Sequence, residues 1–162
     1  MNHGLEGVII PDDVNDTNFM NDLEKQYKAR PLQERIDMAL AEVIDCEYRP
    51  FLATDQWNVI RCYFSRREDL NAEEIATMLE DDDYVIRLSI AKRADLTPGQ
   101  VAQCVTDADP NVRHAIARSI LLTESQREKL LNDDDDLIRR AAKKGPRETS
   151  FRQREGQARL IK

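Results

Sequence analysis

The chain has 162 residues, 41% apolar and 34% charged, with a formal net charge of −7. That is enough chain for one domain with a core and a heavily charged surface. No stretch approaches the roughly 18 consecutive apolar residues of a membrane-spanning helix, and the five glycines suit an all-helical chain.

Residues 1–16 are rich in Gly, Pro, Asp and Asn and are expected to be disordered, with Val8, Ile9 and Ile10 as an isolated apolar cluster. They have no basic region and no long apolar stretch, so no secretory signal is expected. Residues 17–54 are expected to form an N-terminal helical cap. Thr17 is placed to cap a helix over residues 18–29, and Pro31 to start a second one. Ile36, Ala39, Leu40, Val43 and Ile44 carry the second helix through residue 44 on an amphipathic spacing.

Residues 55–145 repeat in phase. Arginine falls at 61, 87, 113 and 139, aspartate at 55, 81, 107 and 133, and leucine at 70, 96 and 122. Successive members of each column are 26 residues apart, the signature of stacked supersecondary units. Each unit predicts two short helices. The first starts at Asp83, Asp109 or Asp135, Asp109 being followed by Pro110, as expected of an N-cap and first-turn proline. Its apolar face is Ile60, Ile86, Val112 and Ile138, followed four residues on by Phe64, Ile90, Ile116 and Ala142. The second starts at Asn71, Thr97 or Thr123, with Glu74, Gln100 or Gln126 three residues later, a capping box written three times. Helices this short are unstable alone, so the units must stack to bury their stripes. The fourth unit stops at Gly145-Pro146 without a second helix. The tail, 146–162, has little apolar content beyond Phe151, Leu160 and Ile161 and is expected to be mobile or to fold on a partner.

The pattern D-x-D-x-x-V-R, an apolar helix, then L-T-x-x-Q and a second apolar helix resembles the leucine-rich repeat variant and the short HEAT-like repeats over about residues 55–145. The length of the second segment favours the HEAT-like description. Stacking of such units, with the composition of the two ends, predicts an all-α fold, a short α-solenoid with an N-terminal helical cap and flexible ends, and the resemblance agrees over residues 55–145. The resemblance implies nothing specific about function.

Cys46, Cys62 and Cys104 are far apart and form no Cys-x-x-Cys pair, and His3 and His114 share no ligand spacing with them, so no metal or cofactor is expected. Reduced thiols in a cytoplasmic protein are the expectation. Cys104 falls on the second-helix face as a small core residue. The runs Asp81–Asp83 and Asp133–Asp136 lack the Gly and distal Glu of a calcium loop. No catalytic constellation appears, so an enzyme is not expected.

Two cationic columns compete for function. The column Arg61, Arg87, Arg113, Arg139 is expected to bridge to aspartates of adjacent units as a bidentate ladder. The column Arg66, Lys92, Arg118, Lys144, extended by Arg67, Arg93 and Lys143, sits at the ends of the first helices. It serves either as favourable charge there or as a basic ridge for a partner. Trp57 either joins Phe51, Tyr63 and Phe64 in an aromatic core cluster or is an exposed partner anchor. From Arg139 onward the chain has nine basic and two acidic residues (+7), against 15 basic and 29 acidic before it (−14). The expected function is a non-enzymatic protein-binding module, an adaptor or inhibitor, whose partner meets Arg66, Lys92, Arg93, Arg118, Lys143, Lys144 and Trp57. The alternatives are nucleic-acid association through ridge and tail, or an acidic phosphate mimic that blocks a DNA-binding protein.

Overall fold

The computed structural model describes residues 14–162; the Val8-Ile9-Ile10 cluster lies outside them. The described residues are all-α apart from one two-stranded hairpin. After α1 (Val14–Ala29) and α2 (Leu32–Leu40), a 3₁₀ turn (Cys46–Tyr48) leads into α3 (Arg49–Ala53). The repeating units follow as α4 (Asn58–Ser65) and α5 (Ala72–Leu79), α6 (Tyr84–Ala91) and α7 (Pro98–Val105), α8 (Pro110–Ile116) and α9 (Glu124–Leu131). Then come α10 (Asp136–Lys144), β1 (Phe151–Arg152) and β2 (Leu160–Ile161). First helices start at 58, 84, 110 and 136 and second helices at 72, 98 and 124, so helix starts keep the 26-residue phase of the sequence.

Capping chemistry sets those starts. Asp83, Asp109 and Asp135 each accept the N–H two residues ahead, and the three capping boxes at Asn71, Thr97 and Thr123 are all closed in both directions. The first helices stack in the order α2, α4, α6, α8, α10, each against the next, while the second helices α3 and α5, and α7 and α9, adjoin in a parallel row. Ile60, Ile86, Val112 and Ile138 and the set Phe64, Ile90 and Ile116 are all fully buried. The spacing that predicts one apolar stripe per first helix is therefore the core itself.

The arginine ladder ties the stack together. Nε and Nη2 of Arg61 donate to Asp81 at 2.6 and 3.1 Å. Arg87 does the same to Asp107 at 2.8 and 3.0 Å, and Arg113 to Asp133 at 2.8 and 3.2 Å. Each guanidinium also donates Nη1 to the carbonyl six residues back, at Asp55, Asp81 or Asp107. The other duty of each aspartate is local: Oδ1 of Asp55, Asp81, Asp107 and Asp133 accepts the N–H two residues on and shapes the turn into the next helix. Arg35 donates to buried Asp55 at 2.8 Å, which makes α2 the first helix of a unit within the ladder.

Three elements depart from expectation. Helix α1 begins at Val14, so Thr17 lies inside it instead of capping it. Helix α2 ends at Leu40 instead of reaching residue 44, and Val43 is exposed. The reason is competition for carbonyls: Nη1 of Arg67 takes Ala39 and Ala41 O, Nη2 takes Glu42 O, and the tail takes Leu40 O through Ala158 N–H.

The third departure is the tail, which is ordered against the stack. It runs back across the ends of the first helices: Arg147 N–H donates to Arg118 O at 2.8 Å and the Thr149 hydroxyl to Lys92 O at 3.0 Å. Further on, Ile161 N–H donates to Arg66 O at 2.7 Å and Glu68 N–H to Arg159 O at 3.0 Å. Phe151 pairs antiparallel with Ile161 and Arg152 with Leu160. A two-residue ladder is not stable in water by itself. Here the last carbonyls of the first helices, which have no intrahelical donor, supply the acceptors, and Ala158, Leu160 and Ile161 are buried in return. Gly145, at φ +75°, makes the turn from α10 into the tail, a conformation that favours glycine.

Candidate functional site

The residues singled out by sequence separate into three groups. Arg93 is buried and belongs to the fold. Its Nε and Nη2 donate to Asp95 at 2.8 and 2.7 Å, Nη1 to Arg67 O at 2.6 Å and Nη2 to Glu68 O at 3.0 Å. Arg67, one unit earlier and fully buried, makes the same set to Asp69 and to the end of α2. These two arginines are a second ladder, clamping the end of each first helix to the one before. Arg93 is thus not part of an accessible ridge, because it is buried and gives four of its five N–H donors to the carbonyls and carboxylate that compensate its desolvation. The sequence signal for the clamp is Arg-x-Asp at 67–69 and 93–95, in phase with the register. In the next unit Ser119 stands in the arginine column and Leu121 in the aspartate column. There Arg127, reaching from α9, donates to Ala117 O, Ser119 O and Ala142 O instead. This explains why an arginine replaces the apolar residue found at Ile75 and Val101.

Arg66, Lys92 and Arg118 are half-buried, each at the end of its first helix beneath or beside the tail, while Lys143 and Lys144 are exposed at the end of α10. None of the five forms an ion pair among the described residues. The tail adds Arg147, Arg152 and Arg154 to the same edge, also unpaired among the described residues; Arg159 instead pairs with Glu68 at 3.1 Å and lies 4.1 Å over the Phe151 ring. Burial, then the neighbouring charges of Arg66 and Arg147, lower the proton affinity of the Lys92 amine.

Trp57 is 48% exposed at the start of α4, at the opposite end of that helix from Arg66. Eight helical residues separate them by about 12 Å, so the structure does not bring Trp57 to the cationic edge. Nor does Trp57 join a core cluster: Phe51 stacks on Tyr27 at 5.5 Å and Tyr27 lies 6.4 Å from Tyr48. Asn58, next to Trp57, donates to Asp83 on the acidic edge.

The acidic clusters are largely spent on structure. Asp81, Asp107 and Asp133 serve the ladder and Asp83, Asp109 and Asp135 cap helices, which leaves Asp82, Asp134 and Asp136 as the exposed carboxylates of the two runs. Asp136 pairs with Arg139 and Arg140. The Asp133 carboxyl is held below its usual range, chiefly by the hydrogen bond from Arg113. Acids thus line the starts of the first helices and unpaired bases their ends, the arrangement favoured by the helix dipole.

Cys46 is exposed, Cys62 half-buried and Cys104 buried, all three free. Burial pushes the Cys104 thiol up to about 12, so it acts as core. No group of three or more His, Cys, Asp or Glu side chains among the described residues could hold a metal ion, and no helix there is long and apolar enough to cross a membrane. No family model, curated protein or solved structure matches the chain.

Proposed function

We propose that the chain is a cytoplasmic, non-enzymatic protein-binding module of the HEAT-like kind, an adaptor or inhibitor, that captures an acidic segment of another protein on its tail edge. The observation behind this reading is the sorting of cations. Every arginine of the two ladders is consumed by the fold, whereas Lys143, Lys144, Arg152 and Arg154 remain exposed and unpaired among the described residues on one edge. Three free thiols suit a reducing compartment.

The scale of the edge argues for a short acidic segment over a long polyanion. The acidic starts of the first helices lie about 12 Å from the basic ends, little more than a Debye length of about 8 Å, and the chain carries −7 overall. A short segment can lie along the basic edge without meeting the acidic one. A nucleic-acid duplex is the second reading, favoured by the number of cations on the edge.

Fluorescence anisotropy with a labelled poly-glutamate peptide separates the two. The expected result is saturable, salt-sensitive binding that weakens at least about tenfold, or ~1.4 kcal/mol, when Lys143, Lys144 and Arg154 are all changed to Glu. Duplex DNA should bind more weakly than the peptide at equal salt. Peptide binding unchanged by the triple substitution would remove the reading, and DNA outcompeting the peptide would replace it with the second.

A further inference from the structure

Between the tail and the ends of α6 and α8 lies a pocket of about 470 Å3, within the roughly 300–1,000 Å3 of small-molecule sites. Its wall brings together Lys92 from the end of α6, Arg118 from the end of α8 and Arg147 from the tail. Its apolar side is formed by Ile120 and Phe151 with neighbouring alanines. Glu148 is the carboxylate side chain on the wall, and it pairs with none of the three cations among the described residues. We infer that this pocket binds a small phosphate monoester with an apolar body, its dianion held by Lys92, Arg118 and Arg147 and its body against Ile120 and Phe151.

Two features support an anion here. Lys92, Arg118 and Arg147 converge from three segments with no ion pair among the described residues, whereas Arg93, which also lines the pocket, pairs with Asp95. Lys92 is crowded by Arg66 and Arg147 beyond the effect of its burial, a repulsion that a bound anion relieves. The helix ends α6 and α8 would by themselves oppose an anion. The tail offsets this by occupying the carbonyls of Arg118 and Lys92 with Arg147 N–H and the Thr149 hydroxyl.

A phosphate monoester fits better than a carboxylate because it carries nearly two negative charges near neutrality and offers the oxygens a guanidinium fork recognises. It fits better than inorganic phosphate because the pocket is far larger than one phosphate group and has an apolar side. The site is distinct from the exposed Lys143, Lys144 and Arg154 of the proposed partner edge, so the two readings stand or fall separately.

Titration calorimetry of the full chain with phenyl phosphate, inorganic phosphate, benzoate and phenol tests the inference. Phenyl phosphate should bind at one site, at least tenfold more tightly than inorganic phosphate or benzoate, and phenol should give no saturable heat. Lys92→Met and Arg118→Gln, each confirmed folded by circular dichroism, should weaken phenyl phosphate at least tenfold, while Lys25→Gln on α1 leaves it unchanged. In spectra of the wild-type chain, Ile120 and Phe151 resonances should shift on binding. No saturable binding of phenyl phosphate to the wild-type chain overturns the site, as does equal affinity in both pocket variants. Inorganic phosphate binding as tightly as phenyl phosphate overturns the assignment of an ester with an apolar body.

Discussion

Replacing Arg93 by Met is expected to destabilise the chain by about 3 kcal/mol. The side chain is 2% exposed and makes four hydrogen bonds, two to Asp95 and one each to the carbonyls of Arg67 and Glu68. Asp95 contributes little to the cost, because its side chain is 56% exposed and regains water when the arginine leaves. The Arg67 carbonyl is different. Arg67 is fully buried, and an orphaned buried acceptor costs about 1–3 kcal/mol. Methionine keeps most of the aliphatic packing, so the loss isolates the polar contribution. Arg93→Lys should cost nearly as much, since one ammonium cannot reproduce the guanidinium fork spanning both carbonyls and the carboxylate. Urea unfolding followed by far-UV circular dichroism measures this directly, and the melting temperature should fall by about 6–12 °C for about 3 kcal/mol in a chain of this size. If Arg93→Met costs under about 1 kcal/mol, and Arg93→Lys nothing, the clamp is wrong and Arg93 returns to the accessible ridge.

Other outcomes follow from the same architecture. Ile90→Ala and Ile116→Ala remove fully buried side chains and should each cost about 2–5 kcal/mol by chemical denaturation; a Thr97→Ala loss should be near 1 kcal/mol, confined to one cap. Asp95 and Asp133 are held below the ordinary carboxylate range, chiefly by bonds from Arg93 and Arg113. Their stabilisation is therefore present above an unfolded-state value of about 3.9 and disappears as pH falls through their lower folded values. Asp133→Asn should flatten the fall of the urea midpoint below about pH 4, and an unchanged slope would contradict the Arg113 pairing. Thiol alkylation of the native chain should modify exposed Cys46 promptly and Cys104 only on unfolding.

Much of the fold is legible in the sequence because it is local and repeated. A cap, a first-turn proline or an i, i+4 apolar pair acts within one helix. When the same set recurs in phase, each occurrence supports the others. The Arg–Asp ladder is legible for the same reason, since two columns in one register specify a contact between neighbouring units. The roles of Arg93 and Arg67 are less so: a surface ridge and a buried clamp need the same residue type at the same helix end, and burial alone distinguishes them.

Periodicity is silent where the chain stops repeating. Four apolar residues in 146–162 look too few to hold a tail, and by themselves they are. Order there comes from carbonyls at the ends of α2, α4, α6 and α8, far away in sequence, that need donors from somewhere. The shortening of α2 has the same origin, since its last carbonyls are taken by Arg67 and Ala158. The amino-acid sequence alone thus determined the helical units, their caps, their core stripe and the ladder that joins them, because each depends on residues close in sequence or locked to one period. Only the tertiary structure decided which cations remain free and that the tail encloses a pocket with Lys92 and Arg118, because both depend on which donor reaches an unpaired carbonyl across the stack.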